Sequence, residues 1–146
     1  MSKVVAIDPG RKKCGLLLVD LDSKTVLDGR VVDSSSVIDL VIHWSTNFEV
    51  KGIVLGNGTT SKYWQMRLES IDLPIDIVEE RGTTLRARSR FWEIWPPPIW
   101  MRWIPKGLLV PLKNLDAVAA LVLLEDHLNK KFKWPDSTKL RISTEP

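Results

Sequence analysis

The chain of 146 residues has a single cysteine and no long apolar run. Each of these absences excludes a class of protein. Its one cysteine, Cys14, cannot form an internal disulfide, which fits a reducing cytoplasm and a small buried side chain. No apolar run approaches the ~20 residues of a membrane span, and no charged segment precedes an apolar stretch at the N-terminus. We therefore expect a soluble, cytoplasmic protein with no membrane partner.

Repeats and metal-binding histidines are also missing. The only histidines, His43 and His127, lack metal-ligand spacing, and no repeat or low-complexity segment is visible. The length suits one hydrophobic core. We predict one domain over residues 1–129, with a Trp- and Pro-rich insert at 92–112. A C-terminal tail, 130–146, lacks periodicity and is expected to be loose or docked late.

The basic residues are unevenly distributed. The net charge of +3 and the pI of about 9.1 are mild indications of a polyanionic partner. The segment from Arg81 to Lys106, however, contains six basic residues and only one acid, Glu93. It also contains four of the seven tryptophans. This clustering indicates a binding face.

Hydrophobic patterns alternate between strand and helix periods. Strands are predicted at Val4–Asp8, Gly15–Asp20, Val26–Val32, Ile53–Gly56 and Ile75–Val78. Helices are predicted at Ser34–Trp44, Thr60–Ser70, Thr83–Trp92 and Leu115–Leu128. Two hairpin-like connections followed by β-α-β crossovers predict an α/β fold. Its sheet is five-stranded and mixed, with the first three strands antiparallel, the remainder parallel and helices on both faces.

Carboxylates stand at the ends of these elements. Asp8 closes the first strand, Glu79 and Glu80 follow the fifth, and Asp116 begins the last helix. Taken singly, each acid also fits a turn former, a helix-start acid or a solvated strand end. Taken together, they suit phosphodiester hydrolysis by two metal ions, which needs carboxylates from different elements to converge on cations such as Mg²⁺ or Mn²⁺.

Three motifs carry a family resemblance, in the right order and with family-like spacing. They are Ile7–Gly15, with an aspartate, a glycine turn and basic residues; Val78–Arg88, with a Glu-Arg-x-Thr-Thr core; and Leu115–Ala120, with an Asp-x-x-Ala-Ala helix start. Together they resemble the YqgF branch of the RuvC-like Holliday-junction resolvases, in the ribonuclease H-like superfamily. The glycine-containing loop Gly56–Lys62 also has a counterpart there.

The resemblance covers residues 4 to about 128 and implies an RNase H-like nuclease with Mg²⁺ or Mn²⁺. Its implied metal ligands and catalytic residues are Asp8, Glu80 and Asp116, with Glu80 preferred over Glu79 because it directly precedes Arg81. It also implies a nucleic-acid substrate, either a ribosomal RNA precursor or branched DNA. Lys12-Lys13, where many members have Lys-Arg, and the segment 91–112 depart from the family pattern.

Cationic and polar side chains near these motifs are predicted to contact the nucleic acid. They are Arg11, Lys12, Lys13, Asn57, Lys62, Arg81, Thr83, Thr84 and Arg88. Asn57, with Thr59 and Thr60, could cradle a phosphate at a helix start. For the lysines, solubility or surface ion pairing is an equal alternative.

The insert leaves further alternatives open. Trp92, Trp95, Trp100 and Trp103 could form a packed clasp, a homodimer contact or a surface for stacking unpaired bases. The whole chain could be a non-catalytic nucleic-acid-binding or ribosome-assembly module. Asp8-Pro9-Gly10 also resembles the first phosphate loop of actin-like kinases, but these need two lobes around the nucleotide.

Overall fold

The computed structural model of the chain describes residues 2–58, 60–80, 82–105, 108, 115–138 and 140–142. Its strands are β1 Lys3–Asp8, β2 Lys13–Asp20, β3 Thr25–Asp33, β4 Val50–Gly56, β5 Ile75–Val78 and β6 Leu140–Ile142. Its α-helices are α1 Val37–Asn47, α2 Ser61–Leu68, α3 Thr83–Ile94 and α4 Asp116–Leu128. Two 3-10 helices cover Ser34–Ser36 and Ile99–Met101. The three prolines after Trp95 follow the end of α3, and Asn129, in the left-handed conformation, ends α4.

The strands form one mixed sheet in the order β5-β4-β1-β2-β3-β6. Strands β1, β2 and β3 pair antiparallel, whereas the β1–β4, β4–β5 and β3–β6 pairs are parallel. The α/β class and the mixed sheet are thus confirmed, and the five predicted strands are all present. One correction concerns the edge of the sheet, where Leu140 and its neighbours add a sixth strand along Gly29–Val31.

Helices cover both faces of the sheet, as predicted. Strand alternation sends Val5 and Ile7 to one face, where they pack with Trp44 of α1 and Trp64 of α2. On the other face, Ala6, Leu17 and Val54 meet Ala117, Leu121 and Leu124 of α4. Both cores are almost fully closed to solvent. The sheet is therefore the middle layer of three.

Helix α3 packs on α4 rather than on the sheet, through Ala87 and Phe91. The chain after α4 returns across the same face, where Phe132 and Trp134 are buried among residues of α4, β2 and β3. The described part of the predicted tail is therefore docked into the core. No described helix has the length and apolar character that crossing a bilayer requires.

Candidate functional site

Three carboxyl groups arrive at one end of the sheet from three elements. Asp8 is the last residue of β1, and Glu80 follows β5, which lies parallel to β1 on the far side of β4. Asp116 begins α4, and its backbone lies directly on Gly15, the β2 residue that pairs with Asp8. A Cβ at Gly15 would lie 1.9 Å from the carbonyl oxygen of Asp116, so only glycine lets α4 start this close to the sheet.

The loop after β4 makes room for Glu80. A Cβ at Gly56 would lie 2.3 Å from Oε1 of Glu80, and one at Gly58 would lie 3.6 Å from its Oε2. Glu79 is exposed, whereas Glu80 is partly buried. A phosphate cradle formed by Asn57, Thr59 and Thr60 stays a prediction, and the glycines of this loop lie against the Glu80 carboxylate. A glycine that closes a buried strand was the sequence signal for such a close approach.

The electrostatics show how near the three acids are to each other. Burial raises the pKa of Asp8 to about 8, reinforced by a side-chain hydrogen bond with Glu80, by the charge of Glu80 and by the charge of Asp116. Burial likewise raises the pKa of Cys14 to about 11; a backbone hydrogen bond from Gly10 opposes this, and the charges of Asp8 and Asp116 add to it. Cys14 is thus a buried neighbour of the acidic group.

The Asp8–Glu80 pair has the chemistry of a divalent-cation site. Among the described residues the buried Oε1 of Glu80 has no hydrogen-bond partner, and burial together with the charges of Glu80 and Asp116 raises the pKa of Asp8. Carboxylate oxygens are the ligands that Mg²⁺ and Mn²⁺ prefer. Across the described residues, however, no three His, Cys, Asp or Glu side chains converge on one ion position. The pair fits a cation, and Asp116 lies close by without closing a ready-made three-ligand cluster.

Cationic side chains surround this end of the sheet. Arg11 and Lys12 are exposed on the turn that follows Asp8, Lys13 is exposed at the start of β2, and Lys62 is exposed in the first turn of α2. The turn is held in place because the carbonyl of Lys12 accepts a 2.8 Å hydrogen bond from the amide of Ser34. These four side chains are free to meet a polyanion approaching the carboxyl groups.

The remaining predicted contacts differ in accessibility. Asn57 is exposed, but its Oδ1 accepts a hydrogen bond of 3.2 Å from Ser61, so it braces the start of α2. Thr83 is buried, and Arg88 is partly buried, with no hydrogen-bond partner for its Nε among the described residues. Arg81, Thr59 and the side chain of Thr84 lie outside the described residues.

The tryptophans of the insert divide into two groups. Trp92 and Trp95 pack around Phe91, with ring centroids 5.2 and 5.0 Å from its ring, and Trp95 also meets Trp134 at 5.0 Å. These two form the packed clasp that was one of the alternatives. Trp100 and Trp103 are instead exposed on a 3-10 turn and the residues after it.

Comparison with known proteins identifies the fold through solved structures. No protein-family model matches the chain, and no curated protein matches its sequence. The solved structure of T. thermophilus RuvC in complex with a Holliday junction substrate is similar at 14% identity and a TM-score of 0.52, over 89% of this chain and 98% of that one. The large terminase of a thermophilic bacteriophage is similar at 10% identity and a TM-score of 0.42, over 94% of this chain and 29% of that one. The chain has the RNase H-like fold of RuvC.

Proposed function

We propose that the chain is a divalent-metal-dependent endonuclease that hydrolyses phosphodiester bonds of structured nucleic acid. The observation that carries this proposal is the contact of Asp8 with Glu80, with Asp116 close by, at one end of an RNase H-like sheet. Burial and the charges of Glu80 and Asp116 raise the pKa of Asp8, so this carboxyl is unfavourable in its ionised form without a cation. Such an arrangement is typical of a functional site rather than of a stabilising one.

Each group of side chains has a distinct part in this proposal. Asp8 and Glu80 would hold the cation, and Asp116 would complete the acidic pocket from the start of α4. A bound Mg²⁺ or Mn²⁺ supplies Lewis-acid charge at the phosphodiester. Arg11, Lys12, Lys13 and Lys62 hold the flanking phosphates by charge, which sets affinity but not sequence preference.

The motifs favour a YqgF-type enzyme acting in the cytoplasm. The Glu80 carboxyl follows β5 and precedes an Arg-Gly-Thr-Thr segment, as the YqgF resemblance implies. The substrate is then a ribosomal RNA precursor or branched DNA. The RuvC structure that shares this fold holds a Holliday junction, which supports a branched substrate as the first to test.

The test is cleavage of labelled four-way DNA junctions and structured RNA with Mg²⁺ or Mn²⁺. Asp8→Asn should lower the cleavage rate on the order of 10⁴-fold or more, as removal of an essential catalytic side chain does elsewhere. Glu79→Gln is the matched control, because it changes an exposed carboxylate one residue from Glu80 and should cleave like the unaltered chain. Equal cleavage by Asp8→Asn would refute the proposal.

A second readout does not depend on turnover. Mn²⁺ should raise the Tm of the unaltered chain, because a cation that binds only the folded state stabilises it by mass action. The increase should disappear in Asp8→Asn and persist in Glu79→Gln. An equal increase in all three proteins would place the cation elsewhere.

The alternative is a nucleic-acid-binding module on the same fold without turnover. One observation favours it: the described part of the chain holds no ready-made cluster of three metal-ligand side chains. This function predicts affinity for structured RNA or DNA without cleavage in any divalent metal. In that case Mn²⁺ should leave the Tm unchanged.

A further inference from the structure

Two tryptophans of the insert are presented to solvent. The side chains of Trp100 and Trp103 are 71% and 80% exposed, far more than Trp92 and Trp95 in the same segment. An indole is among the most costly side chains to leave in water, and adjacent exposed apolar side chains mark interaction sites. The packing of the fold therefore does not account for this pair.

The backbone that carries the two indoles is turned. Trp100 lies in the 3-10 helix Ile99–Met101, and Trp103 lies in the turn directly after it. Hydrogen bonds that span three residues run from the amides of Met101, Arg102 and Ile104 to the carbonyls of Pro98, Ile99 and Met101. This turn therefore presents two exposed indoles close together along the chain.

The segment is also anchored and stiff. Trp95 fixes its start against Phe91 and Trp134, and three consecutive prolines connect that anchor to the turn. Proline restricts the backbone before binding, so less conformational entropy is lost when a ligand orders the segment. The start of the segment is therefore held in place before a ligand binds.

The positive charge of the segment favours an anionic ligand. Between Glu93 and Asp116 the sequence contains Arg102, Lys106 and Lys113 and no acid. Arg102 lies between the two tryptophans and is itself exposed. A surface that combines flat aromatic rings with positive charge suits a chain of bases and phosphates. Two copies of this chain would instead bring like charges together if they met through the same face.

We propose that Trp100, Trp103 and Arg102 form a stacking surface for unpaired nucleotides of the substrate. Unpaired bases stack on the indoles, and the guanidinium of Arg102 meets a neighbouring phosphate. This inference rests on the proposed function, since it takes nucleic acid as the substrate. It adds that the substrate carries a single-stranded segment beside its paired part.

The test measures binding without cleavage, in the Asp8→Asn background with EDTA. The probes are fluorescein-labelled oligo(dT), oligo(U) and a blunt duplex of equal length, followed by anisotropy. The double variant Trp100→Ala and Trp103→Ala should weaken single-strand binding by about fivefold or more for each indole, since stacking contributes at least that much. Duplex affinity and the salt dependence should stay unchanged, because no charge is removed.

Matched variants separate stacking from general effects. Met66→Ala removes a side chain that is 72% exposed on α2 and should bind single strands normally. Trp100→Phe with Trp103→Phe should retain most of the affinity, because phenylalanine also stacks. An unchanged Tm in each variant shows that the fold is intact, as expected for exposed side chains.

Three outcomes would overturn the inference. One is undiminished single-strand affinity in the double alanine variant. Another is a change from dimer to monomer in sedimentation equilibrium, which would assign the tryptophans to a second copy. The last is loss of binding to vesicles of phosphatidylcholine and phosphatidylserine with single-strand affinity intact. Junction cleavage is measured separately, with the double tryptophan variant in a chain that keeps Asp8. The nuclease proposal and the stacking proposal can therefore fail independently.

Discussion

At the scale of single residues, Asp8 makes stability depend on pH in an unusual direction. Its pKa is raised from 3.8 to about 8 in the folded chain. Between these values the folded state holds a proton that the unfolded state has released, so the free energy of unfolding falls as the pH rises from about 4 to about 8. Above pH 8 the full cost of the ionised carboxyl beside Glu80 and Asp116 is present.

We therefore expect Asp8→Asn to be more stable than the unaltered chain at pH 8 in EDTA. The gain should be on the order of 1–3 kcal/mol, because one pKa unit corresponds to about 1.4 kcal/mol and Glu80 can relax. It should vanish well below pH 4, where the unaltered carboxyl is protonated in both states. Urea unfolding at several pH values measures this, and a variant less stable throughout would contradict the burial of Asp8.

Asp20→Asn is a control in which the free energy of unfolding should change in the opposite direction. Burial alone would raise the pKa of Asp20, but hydrogen bonds from Asp22 and Ser23, together with the charge of Lys3, lower it. Its carboxylate therefore stabilises the fold above the pKa of the unfolded state, and that contribution is lost as the pH falls through the folded value. Asp20→Asn should lose stability at neutral pH, where Asp8→Asn gains it.

The sequence alone predicted which acids would meet but not how they fit. Asp8 and Glu80 end parallel strands on either side of β4, so strand order brings them to one edge. Their catalytic role is still a prediction. The space for them depends on Gly15 and Gly56, which allow backbone and side chain to approach. Such contacts join residues far apart in sequence, so a glycine at the end of a strand signals a close approach but not the residue that makes it.

At the scale of elements, a buried ion pair joins α3, α4 and the chain after α4. Arg90 donates to Glu125 through Nε at 2.9 Å and Nη2 at 3.0 Å, and its Nη2 also donates to the carbonyl of Phe132 at 2.7 Å. The amide of Phe132 donates to Glu125 at 2.9 Å. One ion pair therefore satisfies both backbone groups of the residue that enters the core.

Removing one partner of this pair should be costly. Glu125→Gln is expected to lower the free energy of unfolding by at most about 3–5 kcal/mol, because the nearly buried Arg90 would keep only Glu93, whose side chain is half exposed, as its counterion. Arg86→Ala is the matched control on the same two helices, since its pair with Asp126 is about half exposed and should contribute at most ~1 kcal/mol. Chemical denaturation measures both, and equal losses would contradict the burial of the Arg90 pair.

Helices and strands with a long apolar pattern were predicted from the sequence, whereas a strand of three residues was not. The four α-helices and five of the six strands in the described residues follow from apolar spacing. Strand β6 has three residues and pairs only along Gly29–Val31 at the sheet edge, so its signal is tertiary. Phe132 and Trp134 are isolated aromatics between polar residues, which is why the sequence suggested a tail.

At the scale of the whole molecule, the chain after residue 129 completes the core between the sheet and α4. Trp134 fills the space over Gly29, where a Cβ would lie 2.4 Å from its ring, and its Nε1 donates to the carbonyl of Thr138 at 2.7 Å. The Thr138 hydroxyl donates in turn to the carbonyl of Val26. The predicted boundary at 129 would therefore divide a single core rather than separate a domain from a tail.

Truncation after Asn129 should consequently prevent stable folding. Loss of a buried Phe or Trp side chain costs about 3–5 kcal/mol each, against a total stability of roughly 5–15 kcal/mol for a native protein. The truncation also leaves Arg90 and Glu125 without the backbone groups of Phe132. A chain ending at Ile142, which keeps β6, is the control and should unfold cooperatively near the Tm of the full chain. If residues 1–129 alone unfolded as cooperatively, then α4 and the sheet would be sufficient for the core, and the docked segment would only cover it.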